Sequence, residues 1–392
     1  VLPGYNPNAG STTSVLNGGD GVVVRLSSDG QSVLSVTHVG ATINDLRINT
    51  NGTMVVCGDF GVAVLDSTAS NLLWNATPGT GKRCAIADDG TVVVLVGGTA
   101  YTYDSNGNTL GSWDLGGGFQ NDVAIESSDG YVFGTGYSNK KDQSGGPVQV
   151  PFMRAWSYSG TLQWSDYDFS GPSLGSVVAD GRGLRVAVGR DGKLYLLAQS
   201  AGGNSIFGLN PQDVTQSLSS SQLIGTDAYN TTYNTKSNNI TWYGRFNPND
   251  GTIDKGQFLL TRLGGGQGNT LQPSSIMADE NGQIYVGGSA AAYIQNRDVK
   301  QIAGTTVGPY NGGDAFVVVV TPDLSVRLVW NVFTASGSPG ASVNGISERN
   351  GVAAVAMTST GTGTLITANA LQGSPSSSSS NVYTAIWPQS VE

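Results

Sequence analysis

His38 is the only histidine among 392 residues, and it is the one side chain here whose ordinary pKa lets it take or give a proton near neutrality. It stands where a predicted fourth strand ends and the chain crosses toward the next first strand. That makes it a candidate catalytic base or acid and, equally, an ordinary strand-end residue. One histidine excludes His-rich zinc chemistry and, within one chain, any catalytic set that needs a second imidazole. A second group of candidates gathers at the beginnings of the predicted first strands: Asn44-Asp45, Lys82-Arg83, Asn121-Asp122, Arg182, Ser274-Ser275 and Asn344. Only 12% of the chain is charged, so this concentration stands out. Asn and Asp at such places have a structural alternative, the capping of turns between repeats. Cations facing an enclosed channel need an anion, either a neighbouring Asp or a ligand carboxylate. Arg83 and Arg182 are therefore candidate anion receptors, with Asn44, Asn121 and Asp122 as candidate substrate-binding neighbours. The predicted long loops add Tyr137, Lys140, Lys141, Tyr229, Tyr233, Tyr293, Arg297 and Tyr310. Tyrosine can stack on a sugar or protonate a departing oxygen, although any one of them can also be plain packing. Aromatic and cationic residues over a polar centre suit an acidic carbohydrate better than an apolar ligand.

The elements that must position these residues are legible as a repeat. One unit runs Ile43–Ile48, the turn Asn51-Gly52, Met54–Cys57, Val62–Leu65 and Leu72-Leu73-Trp74. The next runs Arg83–Ile86, Asp89-Gly90, Val92–Leu95, Tyr101–Tyr103, Asn106-Gly107 and Leu110–Trp113. A third starts at Asn121–Ile125, turns at Asp129-Gly130 and ends at Leu162-Gln163-Trp164. Later copies turn at Asp191-Gly192, Asn281-Gly282 and Asn350-Gly351, and the fourth-strand Trp recurs at Trp74, Trp113, Trp164 and Trp330. Asp-Gly and Asn-Gly supply the positive φ of tight hairpins, so the pattern specifies four-stranded meanders in tandem. No stretch carries apolar residues at helical spacing over three turns, and none approaches the roughly 18 apolar residues of a membrane span. The fold class is all-β.

A four-stranded meander cannot bury both faces alone, and radial stacking is the usual solution. The sequence therefore predicts a single β-propeller domain over 1–392. Six first strands count directly, and seven blades are favoured over six because Gly181–Leu263 is long enough to hide another. Asp20–Leu26 resembles a third strand and Gln31–Val39 a fourth, so the ring is expected to close by mixing N- and C-terminal strands. The tight first-to-second turns share one rim. The opposite rim carries long second-to-third-strand loops at Tyr137–Val150, Gln199–Thr241, Ser289–Gly313 and Thr358–Asn381, where a binding site is expected. The serine run 376–380 reads as a solvated loop before the strand-like Val382–Trp387.

With 28 acidic and 19 basic residues the net charge is -9, and no basic cluster exists to neutralise a row of phosphates. Neither nucleic acid nor membrane is an expected partner, and a monomer is expected. The start at Val1 without a leader is read as a secreted chain whose signal peptide has been removed. Four sequons, at Asn51, Asn75, Asn230 and Asn239, are candidate glycosylation sites. In that compartment Cys57 and Cys84, which end and begin strands of adjacent repeats, are expected to pair, and the disulfide would stabilise by about 3 kcal/mol. No phosphate-cradling glycine loop or EF-hand pattern is present, and no cofactor is required. Calcium on the axis is an option, held by Asp45, Asp122 and main-chain carbonyls.

The run Gly312-Gly313-Asp314-Ala315-Phe316-Val317, with Leu328-Val329-Trp330 and Val343-Asn344-Gly345-Ile346, resembles the beta-propeller repeat family called SBBP. In overall character the chain also resembles the fungal secreted L-rhamnose-α-1,4-D-glucuronate lyases, polysaccharide lyases with seven-bladed propellers that act on gum arabic side chains. That resemblance implies β-elimination: loss of the glucuronate C5 proton and expulsion of the sugar linked at O4. Such chemistry needs a cation or donor on the carboxylate, a base and an acid. Arg83 and Arg182 fit the first role, His38 or a tyrosine the second, and Tyr137 or Tyr310 the third, with Arg297 among the substrate-binding residues. Two other readings use the same residues: a propeller lectin, and a glycoside hydrolase with Asp45 and Asp122 as its carboxylate pair.

Overall fold

The computed structural model describes residues 11–175, 179–231, 239–302, 304–310, 312–333, 340–360, 363–373 and 380–388. Tyr233 and residues 376–379 of the serine run lie outside them. The chain is all-β, and seven sheets form the blades of a seven-bladed β-propeller. Blade 2 comprises Ile43–Ile48, Met54–Gly58, Gly61–Leu65 and Leu72–Ala76; blade 3 comprises Gly81–Ile86, Val92–Val96, Thr99–Tyr103 and Thr109–Asp114. Blade 4 comprises Phe119–Glu126, Tyr131–Lys141, Pro147–Ser157 and Leu162–Asp166. Blade 5 comprises Gly181–Val188, Leu194–Ser200, Ile240–Phe246 and Ile253–Leu259; blade 6 comprises Leu271–Ala278, Ile284–Ala290, Asp314–Val320 and Arg327–Val332. All five are four-stranded sheets.

The two terminal sheets correct the expected closure. Blade 1 holds Val22–Leu26 and Val33–Val39, with Ser11–Val15 added parallel to Val33–Val39. Blade 7 holds Ala341–Arg349, Val352–Ser359 and Asn381–Pro388. No sheet mixes strands from the two ends among the described residues. Each terminal sheet has three described strands, all from its own end of the chain. The seventh blade is also not hidden in Gly181–Leu263, which contributes one blade, a small hairpin (Leu209–Asn210 with Asp213–Ser217) and two short 3-10 turns.

Contacts gather in two compact units: one from residues 1–136, 154–165 and 369–372, the other from residues 137–153, 166–368 and 373–392. Within each, second and third strands are almost continuously buried, as in Met54–Gly58, Gly61–Leu65, Leu194–Ser200 and Asp314–Val320, while fourth strands such as Leu72–Ala76 alternate. Val-rich runs are what a strand covered on both faces requires. The Asp-Gly and Asn-Gly turns behave as predicted, with φ of 85° at Gly52 and 88° at Gly90.

Two repeated devices join blade to blade. The fourth-strand Trp lies on the third-to-fourth turn of the following blade: Trp74 donates from Nε1 to Ser105 O at 3.0 Å and covers Gly107, and Trp113 covers Gly160. A methyl group at Gly107 would meet the Trp74 ring at 3.0 Å, at a φ of 86°. The second device is a β-bulge near the start of the first strand, at Asn44, Lys82, Leu184, Ser274 and Asn344. The bulge re-aims its side chain. Asn44 Nδ2 donates to Gly81 O at 2.8 Å, Lys82 Nζ to Gln120 O and Ser274 Oγ to Val343 O, each on the next first strand. Asn44→Ala is expected to lower stability by about 1 kcal/mol, the net worth of one such bond. Gly107→Ala is expected to cost more, through the ring clash and the positive φ. Urea unfolding midpoints at unchanged m-value check both.

Candidate functional site

The first-strand residues of the smaller unit form an internally balanced cluster. Arg83 lies between two carboxylates, with Nη1 3.9 Å from Asp45 Oδ1 and Nε 4.0 Å from Asp122 Oδ1, while Arg47 Nη2 stands 3.7 Å from Asp45 Oδ2. Asp45 Oδ2 also accepts the Cys84 main-chain N–H at 3.3 Å. Asp122 is fully buried and Asn121 half-buried beside it. Asp45 and Asp122 thus share one guanidinium. Arg83 supplies the positive charge that calcium would bring to these two carboxylates. No group of three or more His, Cys, Asp or Glu side chains gathers as a metal site among the described residues.

His38 is half-buried within Val33–Val39, opposite Val22 and Ser14. Its Nδ1 lies 2.8 Å from Gly19 O. A carbonyl only accepts, so Nδ1 is the donor in this bond. Cys57 and Cys84 correct the expected disulfide: both are free and fully buried. They are strand-interior residues of adjacent blades, and the Cys84 thiol is spent on the carbonyls of Asp45 and Val55, each at 3.7 Å. Burial, with the neighbouring Cys57 thiol, pushes Cys84 well above the usual thiol range.

In the larger unit the structure brings two predicted residues together. Tyr137 does not sit in a loop: Tyr131–Lys141 and Pro147–Ser157 run on as long strands joined by a tight Asp142–Gly146 turn, correcting the expected Tyr137–Val150 loop. Continuing this hairpin places Tyr137 under Arg182, whose guanidinium carbon is 5.4 Å from the ring centroid. Arg182 Nε donates to Gln149 Oε1 at 2.5 Å, and Gln149 is itself fixed by its N–H to Asp180 Oδ1 at 2.7 Å. Among the described residues Arg182 has no carboxylate partner. Lys140, three residues on from Tyr137, differs: its Nζ is consumed by Asp168 Oδ1 at 3.1 Å and by two main-chain carbonyls.

Arg297, a candidate substrate-binding residue of a long loop, lies in a short 3-10 turn and is withdrawn from solvent. Its side chain is completely buried, with Nε to Asp314 Oδ2 at 2.6 Å, Nη2 to Asp314 Oδ1 at 2.7 Å, and Nη1 donating to Gly308 O. The bidentate pair and the main-chain bond use three of the five N–H donors and pin the loop. Tyr310 packs beside it, ring centroid 5.7 Å from the guanidinium, with its hydroxyl accepting the Gly313 N–H at 2.9 Å. Burial raises the Tyr310 phenol above its ordinary pKa, so it remains a proton donor.

The sequons divide. Asn51 and Asn75 are exposed and Asn239 is half-buried. Asn230 is buried, its Nδ2 donating to Phe258 O at 2.8 Å and its Oδ1 accepting from Thr226, so no glycan fits there.

Residues that composition did not single out complete the picture. Two cavities open in the larger unit, of about 450 Å3 beside Tyr310 and about 480 Å3 beside Tyr229, Arg262 and Tyr293. Asp166 is fully buried with neither carboxylate oxygen in a hydrogen bond. A methyl group at Gly251 would press on it at 2.6 Å, so only glycine fits there. Burial, reinforced by Asp250 and eased by Gln212, pushes the Asp166 carboxyl up to about 8.

Comparison with known proteins gives a family model only for a short segment: the SBBP beta-propeller repeat matches residues 260–293, just upstream of the run whose resemblance is visible by eye. No curated protein matches the chain. Among solved structures, the Pan2 WD40 domain of Neurospora crassa is similar at a TM-score of 0.39 and 9% identity, over 80% of this chain and 85% of that one.

Asp166 generates a stability prediction. Its folded pKa of about 8 lies above the ordinary carboxyl value of 3.8, so between those values the folded state holds a proton that the unfolded state has lost. Stability then falls as pH rises through that window. Asp166→Asn is expected to melt several degrees above the parent at pH 8, with the difference vanishing near pH 4. Melting curves at the two pH values check this.

Proposed function

We propose that this chain recognises the carboxylate of an acidic glycan through Arg182 and Tyr137, and that it acts as a secreted polysaccharide lyase on terminal rhamnose-glucuronate linkages of arabinogalactan or gum arabic side chains. The observation that carries the reading is the state of Arg182: a half-buried guanidinium, oriented by Gln149, stacked over Tyr137, and without a carboxylate to balance it. A planar fork held this way matches a uronate carboxylate. Arg83, Arg297 and Arg327 each already have an acidic partner.

Neutralising the carboxylate is what makes the C5 proton of a uronate removable, because charge develops on the carboxylate oxygens in the transition state. The C5–H electron pair becomes the C4–C5 double bond, the C4–O4 bond breaks, and O4 leaves with the rhamnose and takes up a proton. In glucuronate the C5 hydrogen and O4 lie on the same ring face, so one side chain serves both transfers. Tyr137 is assigned that role as the hydroxyl-bearing group beside the bound carboxylate.

With gum arabic and glucuronate-capped oligosaccharides, unsaturated-uronate absorbance is expected to rise together with free rhamnose. Arg182→Ala is expected to lower kcat/KM by about 10²–10³-fold, the scale of losing one electrostatic stabiliser. Tyr137→Phe is expected to abolish turnover while leaving binding intact. Sugar release without absorbance would replace elimination with hydrolysis. Binding that depends on Arg182 without any product would leave a lectin. Full activity in Arg182→Ala would remove the site.

A further inference from the structure

We infer that the larger unit carries a second carbohydrate site, a two-compartment cleft for neutral sugar residues on either side of the Tyr293–Tyr310 ring pair. It rests on the reading that a glycan is the ligand, but not on Arg182. Tyr293 lines one cavity and Tyr310 the other, and their rings meet at 5.5 Å between centroids with a 50° tilt. The two cavities therefore share an aromatic wall. The compartment of about 480 Å3 adds Tyr229, Arg262, Asn296 and Asp298; the compartment of about 450 Å3 adds Thr270, Gln272, Ser289 and Ser342.

The chemistry of the lining selects a neutral sugar. Ring faces offer an apolar platform for the C–H face of a pyranose. Arg262 and Asn296 donate, Asp298 accepts, and the hydroxyls and amide of the second compartment do both, which is what a ring of hydroxyl groups needs. Both terminal nitrogens of Arg262 are already engaged, Nη1 by Ala228 O and Nη2 by Gly266 O, and the other compartment carries no charge.

The walls are fixed before any ligand arrives. Arg262 and Tyr293 exchange main-chain hydrogen bonds at 3.0 and 3.1 Å. Arg262 Nη1 donates to Ala228 O at 2.7 Å and Nη2 to Gly266 O, which holds the guanidinium in one direction. Tyr229 meets Trp330 edge-on at 5.1 Å, with Arg327 over both rings and paired to Asp227. The buried Arg297–Asp314 pair and the Tyr310 hydroxyl tie down the loop between them. Desolvating a bidentate ion pair inside a surface loop gains little net stability, and what it secures is position. A cleft with immobile walls spends less binding energy on ordering.

The test is calorimetric titration of a neutral galacto-oligosaccharide, free of uronate, into the full chain and its variants. The parent and Arg182→Ala are expected to bind it equally. Tyr293→Ala is expected to weaken binding at least tenfold, and Gln272→Ala and Arg262→Gln severalfold, with unchanged melting temperatures for the latter two. No binding by the parent, or equal binding by Gln272→Ala and Arg262→Gln, overturns the cleft even if Tyr293→Ala fails to fold. A parallel titration with glucuronate separates the two proposals: its loss belongs to Arg182→Ala alone, and a glucuronate response unchanged in Arg182→Ala would sink the acidic site while leaving this one standing.

Discussion

The bulge at the head of the first strand governs how this repeat becomes a protein. One additional residue against a single partner breaks the inside-outside alternation of the strand and frees a side chain to leave its own sheet. In blades 2, 3 and 6 the freed residue donates to a main-chain carbonyl of the next first strand. Blade 5 departs from this rule in an informative way. Its bulge falls at Leu184, which has no donor, and the link to Ser274 O passes to Arg185 Nε at 2.8 Å. Arg182, two residues upstream, is not needed for the link to the next first strand and turns back to Gln149 and Tyr137 of blade 4. The candidate receptor exists where the repeat's structural duty has been moved to another residue.

Much of the architecture was legible because it depends on local chemistry. The Asp-Gly and Asn-Gly turns, the Val runs and the recurring Trp each have a short-range cause, and each appears where the pattern predicts it. The partner of the Trp was not legible: that Trp74 covers Gly107 follows from how successive blades stack, which no window of sequence contains. The terminal sheets failed for a related reason. Pairing of Ser11–Val15 beside Val33–Val39 is a choice among available edges, and edge pairing is weakly encoded when one face of a strand is not fully buried. Asn44 and Lys82 stand at the heads of first strands as the pattern places them, and the bonds they make there run to the next blade, a partner that no window of sequence contains.

The arginines show how a chain with 12% charged residues manages cations. Arg297 sits fully inside with a bidentate carboxylate, Arg83 shares two acids at near 4 Å, and Arg327 holds Asp227 while lying over Tyr229 and Trp330. Burial without compensation is costly, so each partner set scales with how deeply the guanidinium is withdrawn from water. Arg182 is half-buried and is compensated only by an amide oxygen and an aromatic face. Asp166 is the reverse case, a fully buried acid without a cation, and it meets the same cost by keeping its proton.

Repetition and function use different parts of the chain. The positions common to the blades, the turn glycines, the Trp and the bulge, are occupied in holding neighbours together, which leaves them no freedom to form one equivalent pocket per blade. Candidate ligand chemistry comes from what is not repeated. Tyr137 depends on the lengthened hairpin of blade 4, Tyr229 on the insertion in blade 5, and Tyr293 and Tyr310 on the insertion in blade 6. A repeat lectin would place its aromatic residues at the recurring depth of each sheet. Here they lie in segments of unequal length, braced by a buried ion pair and by main-chain bridges that have no counterpart in blades 2 and 3. Unequal insertions on a regular scaffold favour one composite binding region over a ring of identical ones.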